Sequence, residues 1–260
     1  MIKTMMFWTV KGGAGKTTSL LTVSKELAKR NKKVLVIDLD PQANTSKSLL
    51  GEKIYAKDYI SISNLFVPNP LKTVEEAIMK TEDKNIDIIG SSLDLVNSEM
   101  KVRSDPMCDN GRILKKIINK IKQDYDIILL DFNTYPSLLT TNGLVASDFV
   151  FVPTTCDEWA LDGVINTIIQ IDQVQKNFEH EIKYKILFNM INRNKTDIMQ
   201  KENLMEQLQE DQYFKTSVNF QAKPFTDKEV SAIDFKKGNT TVGKQWKEVV
   251  NELMEDLNNG

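Results

Sequence analysis

Short, nearly continuous apolar runs at residues 2–10, 33–38, 86–90, 125–131, 149–153 and 184–190 alternate with segments whose apolar positions recur every three or four residues, at 17–30, 74–80, 112–122, 161–178, 197–209 and 242–257. The runs are short for helices and too uniformly apolar to face water on one side, as expected of strands buried on both faces of a parallel sheet. The alternation predicts a doubly wound α/β fold: a mainly parallel sheet flanked by helices, with right-handed crossovers and ligand sites at the carboxyl ends of the strands. No internal repeat and no Gly-, Ser- or Pro-rich linker divides the pattern, so residues 1–260 read as a single domain. The least regular stretch, residues 51–70, reads as a surface excursion.

Composition narrows the function classes. With 41% hydrophobic and 27% charged residues the chain has the make-up of a folded globular protein, not of a disordered or low-complexity one. Lys+Arg 34 against Asp+Glu 36 gives a net charge of −2, which excludes a constitutively basic nucleic-acid binder and leaves room for conditional binding through a local patch. Cys108, Cys156 and the single His180 provide neither a disulfide framework nor zinc-ligand spacing, so reduced thiols of a cytoplasmic protein are expected. The apolar start is about seven residues long, too short to span a bilayer and without a small-residue cleavage site, and no export signal is expected.

The chemistry concentrates after the first run, at Lys11-Gly12-Gly13-Ala14-Gly15-Lys16-Thr17-Thr18, which leads directly into a helix. Glycines let consecutive backbone N–H groups converge on phosphate oxygens, and the helix start adds its positive end. Lys16 can then reach the terminal phosphates, and the Thr17 hydroxyl can ligate Mg²⁺. A nucleoside triphosphate with Mg²⁺ is the expected ligand.

The strict P-loop pattern places glycine five positions before Gly15, where this chain has Val10, and an additional lysine follows at Lys11. In this the segment resembles the deviant Walker A motif of the ATPase family that includes the partition ATPases ParA and Soj, the cell-division ATPase MinD and the nitrogenase iron protein. The resemblance implies ATP as the nucleotide and a homodimer that closes on ATP binding. It also implies that Lys11 reaches across that dimer to the partner's phosphates, as an arginine finger does in trans.

The second run ends in Asp38-Leu39-Asp40-Pro41-Gln42-Ala43-Asn44, similar to the partition ATPases' DxDPQxN segment. Two carboxylates at a strand's carboxyl end can both face the P-loop mouth; by resemblance Asp40 positions the attacking water and Asp38 serves the metal shell and switch. Residues 125–131 read as the Walker B strand, with Asp131 on the metal side. The family continues with a Pro-Pro pair, whereas this chain has Phe132-Asn133-Thr134-Tyr135-Pro136, an altered switch that leaves slow hydrolysis open.

Further similarity lies in Pro153 to Gly163, a P…E…AL.G stretch read with Glu158 as its acid, and in Asn189-Met190, which in relatives lie beside the adenine. The family's Pro-Arg-Asn-x-Arg segment is absent, replaced by Asn219-Phe220-Gln221-Ala222-Lys223-Pro224. With the P-loop starting at residue 11, the resemblance is to short partition ATPases without an N-terminal helix-turn-helix. That implies non-specific DNA binding by the ATP dimer, a ParB-like centromere-binding partner that stimulates hydrolysis, and a cytoplasmic protein associated with the nucleoid when ATP-bound. Candidate DNA contacts are Arg193, Lys195, Lys223, Lys228, Lys236 and Lys237. The basic residues at 112–122 read as the outer face of a packed helix.

The alternative is a MinD-like nucleotide-gated positioning protein acting on a membrane or protein assembly without DNA. It requires an amphipathic C-terminal helix with a basic polar face. Here Trp246, Val249, Val250, Leu253, Met254 and Leu257 form an apolar stripe, but Glu248, Glu252, Glu255 and Asp256 oppose acidic lipid, so packing on the protein, with no membrane anchor, is expected. Nitrogenase-like chemistry would require paired cysteine ligands, and neither Cys108 nor Cys156 stands in such a context.

Overall fold

The computed structural model describes residues 3–121, 123–192, 194–220 and 240–259. Seven strands, β1 (Lys3–Phe7), β2 (Val34–Asp38), β3 (Ile78–Lys80), β4 (Ile86–Ile89), β5 (Ile127–Asp131), β6 (Phe149–Thr154) and β7 (Lys183–Phe188), form one sheet in the order β3-β4-β2-β5-β1-β6-β7. All pairings are parallel except that of β3 with β4, so the mainly parallel doubly wound sheet expected from the sequence is the one observed. β1 lies between β5 and β6. The connection after β1 runs to β2 on one side and that after β5 runs to β6 on the other, which opens a crevice above their carboxyl ends.

Side chains of alternate residues feed two cores. Met5, Phe7, Val34, Val36, Ile88, Leu129 and Phe151 point to the face covered by α1 (Lys16–Lys29) and α10 (Thr241–Asn259). Met6, Trp8, Leu35, Ile37, Leu130 and Val152 point to the other face. There they meet α5 (Leu95–Ser104), α6 (Ile113–Ile121), α7 (Leu138–Ala146) and α8 (Ala160–Phe178). With both faces covered, the central strands β2 and β5 are buried along their whole length and apolar up to their terminal aspartates, which is why continuous runs rather than alternation marked them.

Four expectations change. Residues 74–80 do not form one helix. A capping box between Thr73 and Glu76 starts a single turn, α4 (Val74–Ala77), and the chain then extends as β3 along the sheet edge, where Lys80 Nζ meets the buried Asp87 carboxylate of β4 at 2.7 Å. Residues 51–70 are a surface excursion only in their first half. In the second, α3 (Ile62–Leu65) and the following residue bury Ile62, Leu65 and Phe66. The strand expected over 2–10 ends at Phe7, and that over 184–190 ends at Phe188.

The fourth change is three helices that lacked a readable stripe. α2 (Asn44–Leu50) has only seven residues. α5 leaves Val96 and Met100 exposed while burying Leu95 and Val102. α7 is apolar nearly all round and buries seven of its residues, so no single face stood out.

α10 packs as expected. Trp246, Val249, Val250 and Leu253 are buried against the sheet-and-α1 core, where complete burial of an aliphatic side chain is worth about 1.5–3 kcal/mol. Its Glu252 carboxylate accepts the backbone N–H groups of Lys215 and Thr216 at 2.7 and 2.9 Å, holding residues 213–220 beside β7. Among the described residues no helix is long and apolar enough to cross a membrane.

Candidate active site at the carboxyl edge of the sheet

The loop between β1 and α1 turns through two left-handed glycines, Gly13 (φ +73°) and Gly15 (φ +85°), and Gly15 is the N-cap of α1 with no side-chain cap on the helix's first N–H groups. A Cβ at Gly12 or Gly13 would meet nothing within 4 Å, so this side of the loop is open to a ligand. The underside is crowded: a Cβ at Gly15 would stand 2.6 Å from Asn189 Nδ2 and 3.1 Å from Met190 Cε. Asn189, buried at the end of β7, donates to the Ala14 carbonyl at 3.0 Å, and Met190 beside it is itself left-handed (φ +55°). The pair expected near a base therefore also fastens the phosphate loop to the sheet.

Asp131, at the end of β5, accepts hydrogen bonds on Oδ2 from Thr17 Oγ1 (2.9 Å) and Thr45 Oγ1 (2.6 Å), while its buried Oδ1 accepts none. A buried carboxylate oxygen left without a donor is costly unless something outside the protein fills the role. With the Thr17 hydroxyl beside it, this donor set fits a hydrated Mg²⁺ held by Thr17 and, through water, by Asp131. Burial raises the Asp131 carboxyl to about 6, the Asp40 charge adding to the effect and the two hydroxyls and Lys16 opposing it. Burial likewise holds the Lys16 ammonium below its ordinary range, although Asp131 and Asp40 pull it back up. Lys16 is thus within electrostatic reach of both carboxylates.

Asp38 lies beside Asp131 on the adjacent strand. Its Oδ2 accepts both the amide (2.8 Å) and the hydroxyl (2.6 Å) of Ser46, and its Oδ1 accepts the Asp40 amide at 3.1 Å. Burial, then the neighbouring Asp131 charge, pushes it up to about 7. Asp38 therefore anchors the start of α2, while Asp40, half-buried, turns its carboxylate onto the Gln42 amide at 2.9 Å.

Lys11 is folded against α8. Its ammonium pairs with Asp157, not with Glu158, which is exposed. Asp157, Thr45, Ser46 and Gly163 all shape the site without having been singled out as functional. Only Gly163 had a signal, its place at the end of the P…E…AL.G stretch. The altered segment after Asp131 is well fixed: Phe132 is buried against Gly143, Asn133 Oδ1 accepts the Tyr135 amide at 2.9 Å, and Thr140 donates to the Tyr135 carbonyl at 2.8 Å.

Of the candidate DNA contacts, Lys195 opens α9 (Lys195–Glu206) and is exposed. Arg193, Lys223, Lys228, Lys236 and Lys237 lie outside the described residues, as does Lys122. In α6, Ile113, Leu114, Ile117, Ile118 and Ile121 are buried as a stripe, and Lys116 and Arg112 pair with Asp109 at 3.2 and 3.7 Å.

A parallel doubly wound sheet with this loop opening its first helix defines a P-loop nucleotide hydrolase. A family model described as an AAA domain matches residues 2–184. The chain is 31% identical over 201 residues, 77% of its length and 76% of the relative's, to the chromosome-partitioning ATPase Soj of Treponema pallidum. A Borrelia burgdorferi structure described as a plasmid partition protein bound to AMPPNP superposes with a TM-score of 0.80 at 21% identity, over 98% of this chain and 100% of that one. Cobyrinic acid a,c-diamide synthase of Mycobacterium smegmatis, solved with an ATP analogue and magnesium, does so at 0.82 and 20%, over 99% and 96%. The chain belongs to the ParA/Soj/MinD family of ATPases. It is an ATP hydrolase of that class.

Proposed function

We propose that the protein is a DNA-partitioning ATPase of the ParA type. The observation that carries this reading is the combination of an open phosphate loop with Lys11 one position before its glycines, on a chain similar to a chromosome-partitioning ATPase. ATP and Mg²⁺ bind over Gly12–Thr18, with Lys16 on the terminal phosphates and Thr17 and Asp131 on the metal side. Mg²⁺ supplies charge neutralisation of the phosphates. Asp40 orients the attacking water, and Asp38, through Ser46, ties the position of α2 to the state of the site.

ATP closes two copies face to face, and each Lys11 neutralises charge developing on the other's phosphates. The closed dimer holds DNA through backbone phosphates, with Lys195 among the contacts, and a ParB-like centromere-binding partner speeds hydrolysis and release. The protein is then cytoplasmic and follows the nucleoid in its ATP form.

The test is a titration of a non-specific duplex with ATP-Mg²⁺, ADP-Mg²⁺ and no nucleotide at two salt concentrations, with Lys11→Ala and Lys16→Ala alongside. Binding is expected with ATP alone, to weaken steeply with salt, and to vanish in both variants. Binding that ignores nucleotide, or none in any state, would sink the reading.

A further inference from the structure

Asp131 is held by two helices at once. Thr17, the second residue of α1, and Thr45, the second residue of α2, both donate through Oγ1 to its Oδ2, at 2.9 and 2.6 Å and across 114 and 86 positions of sequence. A carboxylate oxygen offers about two lone-pair sites, and a threonine hydroxyl has one proton to give. Oδ2 is therefore filled. A further donor has to take Oδ1, which is buried and accepts no hydrogen bond from the described residues.

Thr45 is completely buried, on a helix that starts from a left-handed non-glycine residue, Ala43 (φ +53°), with no side-chain cap. Its proton goes to another element of the fold, not to the backbone of its own helix. The next residue, Ser46, gives its amide and hydroxyl to Asp38 Oδ2. Asp38 and Asp131 face each other across adjacent strands, so consecutive residues of α2 serve the two carboxylates separately and neither shares a hydroxyl of α2 with the other. The last torsion of an aspartate is broad and roughly two-fold, so a carboxylate with a single anchor can exchange its oxygens by turning. Two donors on one oxygen, from two helices, oppose that turn.

We propose that Thr45 is a positioning residue for Asp131: it pins the carboxylate so that Oδ1, and not Oδ2, is the oxygen left for the hydration shell of Mg²⁺. This rests on the reading of Asp131 as the metal-side carboxylate. Thr45 acts through Asp131, so its loss weakens the contribution of the metal to nucleotide binding and leaves binding without metal as it was.

The experiment measures the affinity of the full chain for a fluorescent non-hydrolysable ATP analogue in saturating Mg²⁺ and again in EDTA, at protein concentrations too low for copies to associate. The ratio of the two affinities is the coupling of metal to nucleotide; a structural loosening that weakens both alike does not move it. Wild type is compared with Thr45→Val, which keeps the shape and loses the hydroxyl, Thr45→Ser, which keeps the hydroxyl, Asp131→Asn, and the double variant Thr45→Val/Asp131→Asn. Far-UV circular dichroism checks the fold. Thr45→Val is expected to lower the ratio about tenfold, the scale of losing a group that orients a metal-holding side chain, with the affinity in EDTA unchanged. Thr45→Ser is expected to stay near wild type, and the double variant to match Asp131→Asn.

A wild-type ratio in Thr45→Val, with Asp131→Asn lowered, would remove the positioning role alone. A ratio that falls as far in Thr45→Ser, or falls further in the double variant than in Asp131→Asn, would also overturn it, because Thr45 would then act by placing α2 and not through Asp131. If Asp131→Asn itself keeps the wild-type ratio, the metal-side reading of Asp131 fails and the positioning role fails with it.

Discussion

The side-chain amide of Asn189 donates to the carbonyl of Ala14 at 3.0 Å across 175 positions of sequence, and it fastens the phosphate loop to the end of β7. The loop's shape is therefore set from two sides: from within by left-handed glycines, and from beneath by a buried amide with no space to spare.

Gly15→Ala strains both at once. The new Cβ has to occupy a left-handed backbone position and stand 2.6 Å from Asn189 Nδ2. A loss of stability of about 1–3 kcal/mol is expected, together with at least a tenfold loss of nucleotide affinity, measured by urea denaturation and by titration with a fluorescent ATP analogue. Wild-type affinity in this variant would mean the loop does not depend on its seat.

Gly143→Ala tests the segment after Asp131. A Cβ there would lie 2.4 Å and 2.6 Å from the Phe132 ring and 3.0 Å from Met6 Sδ, an overpacking worth about 1–3 kcal/mol. Phe132→Leu in the same chain is expected to recover part of that stability. Chemical denaturation of the single and double variants gives the coupling.

Asp38, raised to about 7, and Asp131, raised to about 6, make the empty site sensitive to pH. Their unfolded values lie near 3.8, so between about pH 4 and 7 the folded chain binds more protons than the unfolded one, and stability falls as pH rises through that window. In EDTA and without nucleotide, the denaturation midpoint is expected to be higher at pH 5.5 than at pH 8. With ATP-Mg²⁺ bound the ionised carboxylates gain a cation, so the slope should flatten. A midpoint that rises with pH in the empty protein would contradict the two shifts.

Asp131→Asn separates stability from function. It removes one of two adjacent buried carboxylates and keeps an acceptor for Thr17 and Thr45. The empty chain is expected to become more stable by about 1 kcal/mol, while ATP turnover falls at least a hundredfold, read by phosphate release.

Vesicles of acidic phospholipid should not pellet the protein in any nucleotide state. The apolar stripe of α10 is already spent on the core, with Trp246 and Leu253 buried, and its outer face carries Glu248, Glu252 and Glu255. ATP-dependent sedimentation that disappears on deleting the chain from Trp246 onward would favour a membrane-acting protein.

What could be read directly from the chain was what is local. The phosphate loop, the strand that feeds it and the carboxylates ending β2 and β5 are each contiguous, and their residue types state their chemistry. The apolar strand runs survived because both sheet faces are covered. What stayed hidden depends on distance or on the absence of contrast. Asp157 meets Lys11 across 146 positions, and beside the more conspicuous Glu158 nothing in its neighbourhood marks it. α7 buries residues on nearly every side and offered no stripe, and β3 looked helical because the turn of α4 runs directly into it.

The placement of β1 between β5 and β6 also bears on how the protein is made. Thr17 waits for Asp131, 114 positions later, and Ala14 waits longer still for Asn189. On the ribosome the first strand emerges early and then stands without either neighbour until about half of the chain has been synthesised, an exposed apolar segment of the kind that invites aggregation. A product that ends before Asn189 lacks the amide that seats the phosphate loop, so the loop's support is completed only after β7 has been made.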